Sequence, residues 1–150
     1  MSTKIDNRNG TFNYEVLETL EAGLVLTGPE VKSVKSGSAS LKGSYVSIDG
    51  HEEAWLVGCY IAPYRPAGDN QRNYDPYHRR KLLLHKKELR ELLGKSKQKG
   101  LTIIPTSVYT SKRLVKVRIA LARGKTAVDK RETIKNRELS RQVKKHLGSR

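Results

Sequence analysis

The chain has 150 residues, enough for one domain of ordinary size, and carries 30 Lys and Arg against 15 Asp and Glu, a formal net charge of +15. Such an excess draws polyanions in and speeds their encounter, which points first to nucleic acid. It points away from a membrane: no stretch approaches the roughly 20 apolar residues of a span, no apolar leader opens the chain, and neither Met1-Ser2-Thr3-Lys4 nor Gly148-Ser149-Arg150 carries a lipidation signal.

Residues 1–13 are polar, with Asp6-Asn7-Arg8-Asn9-Gly10, and read as a flexible N-terminal arm. Tyr14 to Leu26 reads as one long strand bent at Gly23. A short helix is expected from Gly28-Pro29, with the proline in the first turn, to a stop at Gly37. Tyr45-Val46-Ser47-Ile48 and Ala54-Trp55-Leu56-Val57 flank Asp49-Gly50, a turn dipeptide, and predict a hairpin. Cys59, the single cysteine, follows in an apolar run. It makes no internal disulfide, fits a reducing compartment such as the cytoplasm, and reads as a buried structural thiol. A second helix is expected over about Lys86 to Leu93, stopping at Gly94 with Leu89, Leu92 and Leu93 inward. Leu101–Ile104 and Ser107–Tyr109 add strand signals. In Leu114–Ala122, Val115, Val117, Ile119 and Leu121 alternate with Lys116 and Arg118. Many strands, a few short helices and one core predict a mainly β protein. The expected body is an antiparallel oligonucleotide-binding-type barrel over 14–124, followed by a disordered basic tail over 125–150.

Basic residues crowd 79–99, from Arg79, Arg80 and Lys81 to Lys95, Lys97 and Lys99. Taken alone that run is a solvated helix face; recurring in the tail and on the strand at Lys116 and Arg118, it is equally a phosphate-binding surface. Tyr60, Tyr64, Tyr74 and Tyr77 lie among Arg65, Arg72 and Arg79, where rings either cover the barrel or stack on unpaired bases. The tail has a helical stripe, Leu139, Val143 and Leu147, wrapped in Lys130, Arg131, Lys135, Arg137, Arg141, Lys144 and Lys145. A coil that becomes helical in a phosphate-lined groove accounts for it. No catalytic residue, metal or cofactor is expected: the four histidines lack ligand spacing, and Arg123-Gly124-Lys125-Thr126 lacks the upstream glycine of a phosphate loop.

Four ordered blocks carry a family resemblance. Glu21-Ala22-Gly23-Leu24-Val25-Leu26-Thr27-Gly28-Pro29-Glu30-Val31-Lys32-Ser33, then Arg80-Lys81-Leu82-Leu83-Leu84, then Gly100-Leu101-Thr102-Ile103-Ile104-Pro105, then Gly124-Lys125 with Asp129-Lys130-Arg131, resemble the SsrA-binding protein family, also called small protein B. The resemblance implies binding to the tRNA-like domain of transfer-messenger RNA (tmRNA, or SsrA RNA) and delivery of it to stalled ribosomes in trans-translation. It implies tRNA mimicry, with the tail entering the vacant mRNA channel of the small subunit, against its rRNA. By the same resemblance the RNA-binding positions are Asn7, Glu21, Arg80, Lys81, Leu82, Leu83 and Leu84. The decoding-centre and channel positions are Phe12, which stands where the family commonly has His, together with Asp129, Lys130, Arg131 and the tail cations Lys135, Arg137, Arg141, Lys144 and Lys145. A non-enzymatic monomer is expected. For Glu21 two binding roles stay open, accepting from base amino groups or holding a neighbouring Arg in place, beside that of a bulge residue that only positions Gly23.

Overall fold

All seven strand pairs among the described residues are antiparallel, and only two of them join strands that follow one another in the chain. The computed structural model describes residues 3–125. In chain order these form β1 (Lys4–Asp6), α1 (Arg8–Phe12), β2 (Tyr14–Leu24), α2 (Gly28–Lys35), β3 (Ala39–Ser40), β4 (Tyr45–Ile48), β5 (Ala54–Val57) and β6 (Tyr60–Ile61). A 3-10 segment at Arg65–Gln71, β7 (Arg80–Leu83), α3 (Lys86–Ser96), β8 (Leu101–Ser111) and β9 (Leu114–Gly124) follow. Seven strands make one sheet in the order β1-β8-β9-β2-β7-β5-β4, and β3 pairs β6 in a separate ribbon. The sheet curls until β4 lies against β8, which closes the barrel expected from the sequence. Inside sit Leu41, Leu56, Ile61, Val117 and Ile119 from the strands and connections, with Val34 of α2 and Leu89 and Leu92 of α3 covering them.

The bend foreseen at Gly23 is where β2 changes partners. Gly23 is the last residue in register with β9, opposite Lys116, and the first in register with β7, opposite Leu83. A Cβ on Gly23 would lie 3.4 Å from the Leu83 Cβ, an ordinary van der Waals contact, so the corner is set by the change of partner strand and not by lack of room for a side chain. Thr27 caps α2: its hydroxyl accepts from the Glu30 N–H at 3.4 Å, and the Glu30 carboxylate accepts from the Thr27 N–H at 3.0 Å.

Three expectations change in detail. Residues read as an arm supply β1, paired with β8 through Ile5 opposite Val108, and the single turn α1. α3 does not stop at Gly94 but runs to Ser96; an exposed helical glycine costs only about 1 kcal/mol, and Lys95 beyond it is held to Glu18 at 2.8 Å. Leu93 is half-buried, whereas Leu89 and Leu92 are buried. The hairpin of β4 and β5 forms as expected, but its turn spans 49–53 and is organised by the Asp49 carboxylate. That carboxylate accepts from the backbone of His51 (2.9 Å) and Glu53 (3.0 Å) and from the Trp55 indole N–H (2.9 Å). Cys59 is buried as expected, and desolvation pushes its thiol up to about 11.

Candidate nucleic-acid interface

Side chains alternate across a strand, so the register of the sheet decides which residues share its outer face. On β7, Arg80 and Leu82 point inward and Lys81 and Leu83 outward. Lys81 stands opposite Trp55 of β5, and Leu83 opposite Gly23 of β2. Gly23 stands opposite Lys116, and Glu21 opposite Arg118, both on β9. On the far side Tyr45 faces Val57 across the hairpin. The result is one continuous outward surface of β4, β5, β7, β2 and β9. It carries the exposed apolar groups Val25 (48 %), Tyr45 (48 %) and Leu83 (56 %) among Arg79, Lys81, Lys116 and Arg118, with Glu21 as the anion. Rings and aliphatic carbon between cations suit splayed bases and phosphates together.

The predicted RNA-binding residues divide. Lys81 and Leu84 are half-buried and Leu83 is exposed, so these three reach the surface. Arg80 and Leu82 do not: they are 1 % and 2 % exposed and point into the barrel. The reason is the two-residue period of β7, which turns alternate members of the basic-apolar block into the barrel. Asn7 does not reach the surface either. It is buried, donating from Nδ2 to the Pro105 carbonyl and from its backbone to the Thr106 carbonyl, both at 2.8 Å, and so ties α1 to the irregularity in β8. Glu21 is exposed and held in place. Its Oε1 accepts from Lys116 Nζ at 2.8 Å and its Oε2 from the Tyr109 hydroxyl. The bond from Lys116, then that from Tyr109, lowers the carboxyl below its ordinary value. Of the two roles left open for Glu21, this geometry is that of holding a cation, a lysine rather than an arginine. Phe12 is half-buried with the Lys125 ammonium 5.7 Å from its ring centroid. Asp129, Lys130, Arg131, Lys135, Arg137, Arg141, Lys144 and Lys145 lie outside the described residues.

Sequence reading missed the polar cluster beneath this face. Glu30 of α2 is 2 % exposed, and its Oε2 accepts from Arg80 Nε (2.7 Å), His78 Nε2 (2.8 Å) and the Tyr74 hydroxyl (3.1 Å). Arg80 donates further to the carbonyls of Cys59 (2.6 Å) and Pro76 (2.9 Å) and to the Tyr74 hydroxyl (2.9 Å). Burial opposes ionisation of Glu30, yet the Thr27 backbone N–H, Arg80 and His78 outweigh it and hold the carboxyl below its usual range. Burial also pushes the Tyr74 hydroxyl up to about 12. The cluster bolts the 62–79 connection to α2 and β7, and so fixes the strand from which Arg79 and Lys81 project. Thr27 and Glu30, spaced as a capping pair, were the only sequence signal for it. Of the four tyrosines, Tyr74 is consumed here, while Tyr77 is exposed and packs its ring 5.2 Å from that of Tyr60.

Among the described residues, no group of His, Cys, Asp and Glu could hold a metal ion, and no helix is long and apolar enough to cross a membrane. A model of the SmpB protein family matches residues 4–149. The SsrA-binding protein of Persephonella marina is 52% identical over 143 residues, covering 95% of this chain and 92% of that protein. That of a Sulfurihydrogenibium species is 50% identical over 147 residues, covering 97% and 95%. A solved chain described as "tmRNA-SmpB: a journey to the center of the bacterial ribosome" superposes with a TM-score of 0.70 at 45% identity, over 87% of this chain and 94% of that one. The chain belongs to the SmpB family of SsrA-binding proteins.

Proposed function

We propose that this protein binds the tRNA-like domain of tmRNA through the outer face of β2, β7 and β5, and brings it to stalled ribosomes for trans-translation. Membership of the SsrA-binding family supports tmRNA and the ribosome as partners. The observation that carries the choice of surface is the continuous face on which Lys81, Leu83, Trp55 and Val25 surround the Gly23 corner. Folded RNA is read through backbone shape, 2′-hydroxyls and unstacked loop bases, and a rigid, cation-flanked sheet meets those needs. Each phosphate neutralised releases counterions, so affinity falls steeply with salt. Glu21 serves by holding Lys116 and Tyr109 in register. Arg80 and Asn7 serve indirectly, through the fold.

Residues 14–124 act as the binding body and 125–150 as a tail for the ribosome. The cations Lys130, Arg131, Lys135, Arg137, Arg141, Lys144 and Lys145, with Asp129, enter the vacant mRNA channel against small-subunit rRNA, and Phe12 faces the decoding centre. A message filling the channel excludes the tail, so selectivity for stalled ribosomes needs no bond chemistry. The protein works as a cytoplasmic, non-enzymatic monomer. Removing residues 127–150 tests this division. Affinity for free tmRNA stays within about twofold and tagging of stalled chains is lost. A large loss of affinity in the truncated protein refutes the separation of body and tail.

A further inference from the structure

Trp55 is the sole tryptophan of the chain and sits in the middle of the outer face. Its indole is held at one edge, where Nε1–H donates to the Asp49 carboxylate at 2.9 Å. Over the ring lies Arg79, with its Cζ 4.0 Å from the centroid. Among the described residues no carboxylate comes within ion-pair distance of Arg79. The guanidinium carbon thus lies over the indole, and among the described residues no ion pair engages its N–H edges. Arg79 itself is exposed, and the backbone that carries it is immobilised: the next residue is the buried Arg80, and the Arg79 carbonyl faces His78 Nδ1 at 2.9 Å. Lys81 stands directly opposite Trp55 in the strand register, and Val57 and Tyr45 lie on the other flank.

We propose that Arg79, stacked on Trp55, is a platform for one unpaired nucleobase of the bound RNA, with Lys81 meeting the adjoining phosphate. An arginine plane stacks on bases and its fork donates to a phosphate or to a base edge, whereas a lysine can do only the electrostatic part. Fixing the guanidinium on the indole before the ligand arrives removes much of the rotamer entropy that a free surface arginine loses on binding. The hydrogen bond from Trp55 to Asp49 keeps the indole from turning away with its load. The charge is complementary, and the neighbouring surface supplies apolar area that a paired, stacked base would not need. This inference rests on the proposed RNA-binding role and adds the residues that grip an unstacked base.

Trp55 reports on its own site through intrinsic fluorescence. The probes are a transcript of the tRNA-like domain of tmRNA and a fully paired RNA duplex of equal length. The transcript should alter Trp55 emission on saturation, and the duplex, with no free base, should not. Arg79→Ala should weaken transcript binding roughly tenfold, as loss of one stacked base does, while leaving thermal unfolding unchanged. Arg79→Lys should recover less than half of that loss on a logarithmic scale. Full recovery by Arg79→Lys would reduce the contact to charge and overturn the platform. So would unchanged emission in a saturated complex, or wild-type affinity in Arg79→Ala. If the wild-type protein binds duplex and transcript equally, the proposed selectivity for the tRNA-like domain falls, and this inference with it.

Discussion

Arg80 is the sharpest place to separate fold from binding, because sequence resemblance makes it an RNA contact and the structure buries it. Replacing it by methionine keeps most of the stem volume, so the cavity cost is small. What is lost is the donor set: Glu30 Oε2 loses its 2.7 Å cation and keeps His78 and Tyr74, the Cys59 carbonyl loses its guanidinium donor, and the Pro76 carbonyl keeps the Ile61 N–H. Removing one member of a buried pair strands the other, at about 3–5 kcal/mol. With a urea dependence of roughly 2 kcal/mol per molar, the midpoint of unfolding should drop by about 2 M. Adding Glu30→Gln to Arg80→Met removes the stranded charge, so the double variant should be about 1–2 kcal/mol more stable than the sum of the single losses predicts. Lys81→Ala, one residue on and facing outward, should leave the midpoint in place and lower the salt dependence of tmRNA binding by the equivalent of roughly one phosphate contact. Equilibrium urea unfolding, alongside filter binding at several salt concentrations, measures both. An Arg80→Met protein with the wild-type midpoint and weakened RNA binding would refute the burial argument and return Arg80 to the interface.

Glu21→Ala frees Lys116 and Tyr109 from their shared carboxylate and, since Glu21 is exposed, should weaken RNA binding several-fold with normal thermal unfolding; unchanged affinity would take Glu21 out of the site. The Glu30 carboxyl, faced by Arg80, His78, Tyr74 and the Thr27 N–H, is held below its ordinary value of 4.5 in the folded protein. Its stabilising contribution is therefore complete above that pH and is lost as pH falls through the lower folded value. Unfolding followed by circular dichroism should show stability falling below about pH 4.5, with a shallower slope in Glu30→Gln; identical slopes would contradict the assignment. The buried thiol of Cys59, raised to about 11, should stay unreactive to an aromatic disulfide reagent at pH 8 until the chain unfolds in denaturant. Rapid labelling of the native protein would show that the barrel opens there.

Strand character was legible wherever one face of a strand is wet. Lys116 and Arg118 between Val115, Val117 and Ile119 declare the pleat of β9 from sequence alone, and the structure buries that apolar set as the alternation requires. Gly23 announced a corner because a glycine inside a strand pattern needs a reason. The helix at Gly28-Pro29 was readable from its first turn. β7 was less readable: its residues Arg80–Leu83 are a central strand, yet their basic character resembles a surface run, and only the partners on both sides turn two of the four inward. β1 was hidden for the opposite reason, since a three-residue strand carries too little periodicity to show until Val108 is beside Ile5.

The same division holds for the site. Charge is a sum over residues, so the partner class followed from composition before any coordinate existed, and the ordered blocks named the family. Placement is a matter of long-range contact. Glu30 and Arg80 are fifty positions apart, and Asn7 and Pro105 ninety-eight, so nothing local says that these polar groups satisfy one another in the interior. Nor does anything local say that Arg79 lies on Trp55. Pairing of β5 with β7 put them together, and the pleat of β7 separated the cations that face solvent from the one that ties the 62–79 connection to α2.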